Sequence, residues 1–392
     1  MARLTVRAGS SAIQMLAIAG LLSGCIADGR PLPPTERQPE GSAGTGAPGA
    51  STVPVDGPDA STAPPPTGGS GGAGGAGGPT PPPEGWAKGV QTCAGEDPLM
   101  AHAGAISALS YSPDGQLLGS FSGSLHVRRV DTGELLWTAV PLNVGVLPNR
   151  QLFAFSADSS AVALAGGRVA ILRASDGAPL HDAIGSGAAT VALSPDGSLI
   201  AAGCQCSGSA GARLWQLPGG VAEPLLGGRG DQAYAVAFSP DGTLLAVRAA
   251  YPTDPGVPRT TVWRVSERSL VWGADADEQM NSRLAFVAFS PDGTLLVSVN
   301  EKAPVTVRVF DAANGDPVAD LPVVRPFAAA ISPGADGILA VVSETKLLVW
   351  RAADWSPVAE IPGSFTALAF APDGKRLAVA DAMGTIHFFC PG

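Results

Sequence analysis

The side chains of this chain best equipped for chemistry are four histidines, five cysteines and a few clustered acids. His102, His126, His181 and His387 have no serine at a nucleophile elbow to work with, since the G-x-S-x-G match around Ser70 falls in a Pro/Gly-rich stretch, and neither H-E-x-x-H nor C-x-x-C occurs. The spacing that nucleophilic or zinc-dependent hydrolysis needs is therefore missing. Cys204 and Cys206 form a C-x-C pair with no further ligand close in sequence, so a loop disulfide is expected rather than a metal site. Asp275, Asp277 and Glu278 bring three carboxylates together, but without the glycine and ligand spacing of calcium loops. His126 and His387 lie in apolar runs, where a satisfied structural histidine is the expectation. These residues point to binding rather than catalysis: no enzyme activity, no cofactor and no metal are expected.

The elements that must position them are announced by a turn. S-P-D-G recurs from Ser112, Ser194, Ser239 and Ser290, with softer copies at Phe155 ("FSADS"), Ile331 ("ISPGADG") and Phe370 ("FAPDG"). The residue after the serine falls at Pro113, Ala157, Pro195, Pro240, Pro291, Pro333 and Pro372, a spacing of about 40 residues that marks a repeat. Before each turn comes a short apolar run such as "AYAVAFS", after it another such as "TLLAVRA", then a third such as "TTVWRV" and a more polar fourth. Each run is strand-length, rich in β-branched or aromatic residues, and bounded by Gly, Pro, Asp or Ser. Proline presets φ, the aspartate bonds back to the backbone, and glycine takes positive φ, so the motif joins the first strand of a unit to the second. Four-stranded units of this size cannot cover both faces alone and fan out as propeller blades. The expected fold is all-β: a seven-bladed β-propeller of four-stranded antiparallel blades over residues 86–392. Trp215, Trp263, Phe310 and Trp350, on third strands, are expected to fill the wedges between blades.

Outside that domain the composition changes. Residues 1–24 carry Arg3 and Arg7, then an apolar run from Ala12 to Leu22 too short to span a bilayer, the pattern of an export signal. "LSGC", ending at Cys25, resembles the bacterial lipobox, which implies cleavage before Cys25 and a lipid on its thiol. Residues 25–85 are almost all Pro, Gly, Ser, Thr and Ala, a tether with too few large apolar side chains to order itself. As a coil it would reach roughly 40 Å. The chain holds 24 Lys and Arg against 34 Asp and Glu, a net charge of −10, and no basic patch suited to nucleic acid.

The repeat resembles the WD40 family. "AHAGAISALSYSPDGQLLGSFSGSLHVRRVDTGELLW", Ala101 to Trp137, follows that family's Gly-His, strand, S-P-D-G, strand order, with His102 at the place of its histidine. "FDAANGDPVADL" from Phe310 and "DAMGTIHFF" from Asp381 are similar too. The Trp-Asp ending is replaced by "RRVD", "RVFD" and "LWQL", so the family's buried hydrogen-bond chain is partial. "DTGELLW" also resembles quinoprotein-like propellers, including outer-membrane assembly lipoproteins.

The last unit has three runs, and "KGVQTCAGEDPLM", Lys88 to Met100, has no unit of its own. This segment is expected to supply the outermost strand of the seventh blade, completing a sheet that would otherwise expose an edge. That pairing sets Cys93 beside Cys390 for a clasping disulfide, with two free thiols as the alternative. The longest loops expected on one rim offer Tyr251, Arg259 and Met280 as partner anchors, with Asp275, Asp277 and Glu278 as an acidic lip. The function expected is a lipid-anchored, monomeric scaffold for unidentified protein partners at the bacterial cell envelope. Ile26 after Cys25 favours the outer membrane, facing the periplasm, by analogy with known sorting signals. The alternatives are a quinoprotein-like propeller of outer-membrane assembly, or a propeller enzyme with an axial pocket.

Overall fold

Each S-P-D-G turn satisfies its own polar groups and can therefore be packed against a neighbour. The computed structural model describes residues 86, 89–141, 152–204, 211–222, 232–250, 260–274, 286–300, 306–333 and 337–392. In it Ser112, Ser194, Ser239 and Ser290 are buried and donate to Asp114, Asp196, Asp241 and Asp292 at 2.5–2.6 Å. The same serine oxygens accept the N–H that opens the next strand, from Leu117, Leu199, Leu244 and Leu295, at 2.9 Å. The aspartates accept a second backbone N–H two residues on. These bonds leave no buried donor of the turn unpaired, as burial requires.

The strands follow in chain order. β1 (Val90–Thr92) and β2 (Leu99–Met100) come first. β3 (Ala108–Tyr111), β4 (Leu117–Phe121), β5 (Leu125–Arg129) and β6 (Leu135–Ala139) form the first four-stranded sheet. β7 (Phe153–Phe155), β8 (Ala161–Arg173), β9 (Pro179–Leu193), β10 (Leu199–Cys204), β11 (Gly211–Gln216) and β12 (Val221–Ala222) make one six-stranded sheet. Three further four-stranded sheets follow. They are β13 (Gln232–Phe238) to β16 (Ser269–Ala274) through β14 (Leu244–Ala250) and β15 (Thr260–Arg264); β17 (Val287–Phe289), β18 (Leu295–Asn300), β19 (Thr306–Asp311) and β20 (Pro317–Pro322); and β21 (Pro326–Ile331), β22 (Ile338–Ser343), β23 (Lys346–Arg351) and β24 (Pro357–Pro362). β25 (Phe365–Phe370), β26 (Leu377–Asp381) and β27 (Thr385–Pro391) complete the order, and β1 and β2 both pair with β27.

The β-propeller is there, but not as seven separate four-stranded blades. Among the described residues there are five sheets of four or five strands and one of six. The difference lies at β8 and β9, of 13 and 15 residues, which run on where two shorter strands each were expected. The turns at Ser156 and Ser194 therefore belong to one sheet rather than to two. The closing segment differs as well. The expected single strand is two short ones, joined by an arch over residues 94–98 that leaves β27 opposite His387.

Neighbouring sheets meet through their turns and tryptophans. The Pro195 ring lies over Gly242 and the Pro240 ring over Gly293, each within van der Waals reach of where a side chain would start. Pro372 meets Gly115 in the same way, which joins the last unit to the first. Thr366 of β25 adds a hydrogen bond of 2.6 Å to the Ile106 carbonyl. On the outer side Trp137 donates to the Ala174 carbonyl and covers Gly177 (φ 72°), and Trp272 treats Ala312 and Gly315 (φ 79°) alike. A β-carbon at either glycine would strike the indole and also sit at a disfavoured φ. Trp215, Phe310 and Trp350 are buried, whereas Trp263 is half-buried. The packing of the fourth-strand residues Trp137 and Trp272 on the next sheet was not foreseen in the sequence.

The fifth strand of the closing sheet is bonded covalently: Cys93 and Cys390 form a disulfide across 297 residues, with Cα atoms 5.0 Å apart. On the chain-entropy view, so long a loop stabilises by about 5 kcal/mol. Cys390→Ser should lower the unfolding free energy in urea by roughly 3–5 kcal/mol. Cys93→Ser should do the same, and the double variant no more than either. Additive losses would show that the two thiols act independently.

Candidate functional site

The expected rim anchors, Tyr251, Arg259, Asp275, Asp277, Glu278 and Met280, lie outside the described residues, as do Cys25 and Cys206. Cys204 is the last residue of β10. Among the described residues no group of three or more His, Cys, Asp or Glu could hold a metal ion, and no helix is long and apolar enough to cross a membrane.

The histidines are held by structural partners. His102 and His126 stack with ring centres 3.9 Å apart. His102 Nε2 lies 2.9 Å from the Ser120 hydroxyl, while His126 reaches the Ala101 carbonyl and the Ser124 hydroxyl, each at 3.1 Å. Burial, then the adjacent His126, holds the His102 pKa down from 6.5 to about 4. His126 is also lowered, mainly by burial. His387 lies 3.0 Å from Asp381. Burial would raise the Asp381 carboxyl, but the His387 bond and the N–H groups of Thr385 and Met383 outweigh it and leave its pKa low. Every partner of these rings is a backbone carbonyl, hydroxyl or carboxylate of a neighbouring strand or turn, an arrangement that locks strands together.

Two concave features remain. One, of about 300 Å³, is lined by the turn residues Pro113, Pro195, Pro240 and Pro291 with Phe155, Phe238 and Phe289. It is walled by proline and aromatic rings. The larger, of about 740 Å³, lies where the 94–98 arch and β27 face the first sheet. Arg128, Arg129 and Arg376 line it with Glu96, Asp97 and Asp131, and Leu99, Leu118, Val130 and Phe388 give apolar wall. Glu96, carried on the arch, pairs with Arg376 at 2.5 Å, and Arg376 lies 5.6 Å over the Phe388 ring. Arg128 is the odd member. Its Nη atoms donate to the carbonyls of Gly133 and Ala101 at 3.2 and 3.3 Å. Its Nε is buried without an acceptor among the described residues. Partial burial lowers its pKa.

The sequence held a signal for this cleft. Arg128 pairs with Leu118 as Trp215, Trp263, Phe310 and Trp350 pair with Ile200, Leu245, Leu296 and Leu339. It thus stands in the column that these third strands, and Phe389 opposite Leu377 in the closing sheet, fill with an aromatic ring. Comparing third strands by register would have singled it out; reading "LHVRRV" as one more strand did not.

The histidine pair predicts acid sensitivity. The folded protein binds the His102 proton more weakly than the unfolded polypeptide, whose value is near 6.5. The stabilisation is whole above that pH, shrinks as pH falls, and is gone below about 4. Urea unfolding should lose roughly 2–3 kcal/mol through this group between about pH 7 and 4. His102→Asn, which keeps a neutral polar group there, should flatten that part of the profile; an unchanged slope would contradict the assignment.

The family model described as WD domain, G-beta repeat matches residues 92–128, about a tenth of the chain. The matched stretch runs from the closing arch through His102 and the first S-P-D-G turn to Arg128. No curated protein matches the sequence. The matched stretch is similar to a WD40 repeat, and the antiparallel sheets around it are arranged as a β-propeller.

Proposed function

We propose that this protein is a non-catalytic scaffold for protein–protein interaction, presented at the cell envelope by a lipid on Cys25. The observation that carries the reading is the WD40-like repeat itself: rigid sheets whose polar side chains bond mainly to one another, and whose connecting loops are left for recognition. In the wider WD40 class such propellers serve chiefly as interaction platforms, and the histidines here bond within and between strands.

The remaining parts come from the sequence. "LSGC" supplies the lipidation site at Cys25 after a signal over residues 1–24. The Pro/Gly-rich stretch 25–85 then holds the propeller, residues 86–392, off the membrane as a monomer. Ile26 favours the outer membrane, with the domain facing the periplasm. The partner-facing rim is built from Tyr251, Arg259 and Met280 with the acids Asp275, Asp277 and Glu278, large anchors beside a charged lip. Cys204 and Cys206 close a loop disulfide near that rim.

Two measurements test this. Metabolic labelling with palmitate should mark the wild-type protein and not Cys25→Ser, which should move to the soluble fraction; equal labelling of both would remove the anchor. A photo-crosslinking residue at position 251 should capture a discrete partner in the native envelope, and one at Val318 on an outer strand should not. Equal capture at both positions would remove the rim assignment.

A further inference from the structure

The first sheet departs from the pattern of the repeat at Arg128. Where other third strands place Trp215, Trp263, Phe310 or Trp350 against the second strand, the first sheet places a guanidinium. In place of an indole there is a space of about 740 Å³. The arch carrying Glu96 and Asp97 forms its lip, and the Cys93–Cys390 bond anchors one end of that arch. A half-buried guanidinium whose hydrogen-bond partners are backbone carbonyls gains from a counter-charge. No acidic side chain among the described residues supplies one to Arg128.

We propose that this cleft binds a short peptide segment through a carboxylate received by Arg128, with Arg129 assisting. The volume lies in the range of small-ligand pockets. A planar guanidinium matches a carboxylate with two parallel hydrogen bonds. Asp97 and Asp131 on the lip disfavour a phosphate, whose double charge they would repel, yet they accept the N–H groups a peptide brings. Leu99, Leu118, Val130 and Phe388 cover its apolar parts. The proposal rests on the reading of the propeller as a protein-binding scaffold but not on the rim loops. Two sources can supply the carboxylate: the free C-terminus of a peptide or an acidic side chain within it.

Fluorescence anisotropy with three labelled alanine pentapeptides tests it on the full-length protein: one with a free C-terminus, one amidated, and one amidated with a central glutamate. The account expects at least one carboxylate peptide to bind tenfold or more tighter than the amidated one, and to weaken with salt. The free-terminus and glutamate arms tell the two sources apart. Arg128→Gln should abolish the preference. Should that variant not fold, the wild type still answers. Phenylglyoxal modification of Arg128 and Arg129, mapped by mass spectrometry, should slow at least threefold with the bound peptide. Equal binding of all three peptides, or no protection of Arg128, would overturn the proposal. Crosslinks through position 251 that persist while every peptide fails would overturn the cleft and leave the scaffold reading in place.

Discussion

A fan of sheets is stable only if its last member is held to its first, because an open fan exposes apolar faces and a free strand edge. In this protein that constraint falls on residues 89–101. β1 and β2 lie along β27, Cys93 N–H donates to the Phe388 carbonyl and Ala101 N–H to the Gly384 carbonyl, each at 3.0 Å. On the inner side the first strands of the last and first units meet through Pro372 over Gly115 and Thr366 on Ile106. Buried apolar side chains of both ends share one cluster, in which Ile106, Tyr111 and Leu118 pack with Ala369, Ala378 and Ile386. The seam therefore uses the proline-over-glycine contact of the other junctions, with a covalent bond and an arch added.

The cleft follows from the way the seam is made. A continuous outer strand would have left no arch. Because residues 94–98 bow away from β27, Glu96 can reach Arg376 and the space beside Arg128 stays open. Departures from regular pairing commonly re-aim side chains in this way. The arginine in the aromatic column puts a guanidinium at this junction where other third strands carry a ring. The site lies in the strand structure itself rather than in the long loops.

Much of the fold was legible because S-P-D-G is a local device. Proline, aspartate and glycine set the turn, and their spacing gives the repeat before any tertiary contact is considered. The serine was read only as a marker, yet it is buried and bonds both the aspartate and the next strand. Its double bonding could not be seen from residue type alone. The sheet count was not legible either. Whether two strands stay separate or run together, as in β8 and β9, depends on pairing between units, not on the turns. The aromatic third strands read correctly at Trp215, Phe310 and Trp350, whereas Trp137 and Trp272 were hidden in the more polar fourth runs. Arg128 was passed over because arginines in a strand normally reach solvent; its bonds to the carbonyls of Gly133 and Ala101 are tertiary contacts that alternation does not encode.

Amide hydrogen exchange at the seam tests the central claim most directly. The account predicts that the Cys93 and Ala101 amides exchange as slowly as those of β25 and β26, since all belong to one cooperative unit. Cys93 and Ala101 amides exchanging at the rate of an unstructured peptide, while β25 and β26 stay protected, would contradict a ring closed by its own N-terminal segment.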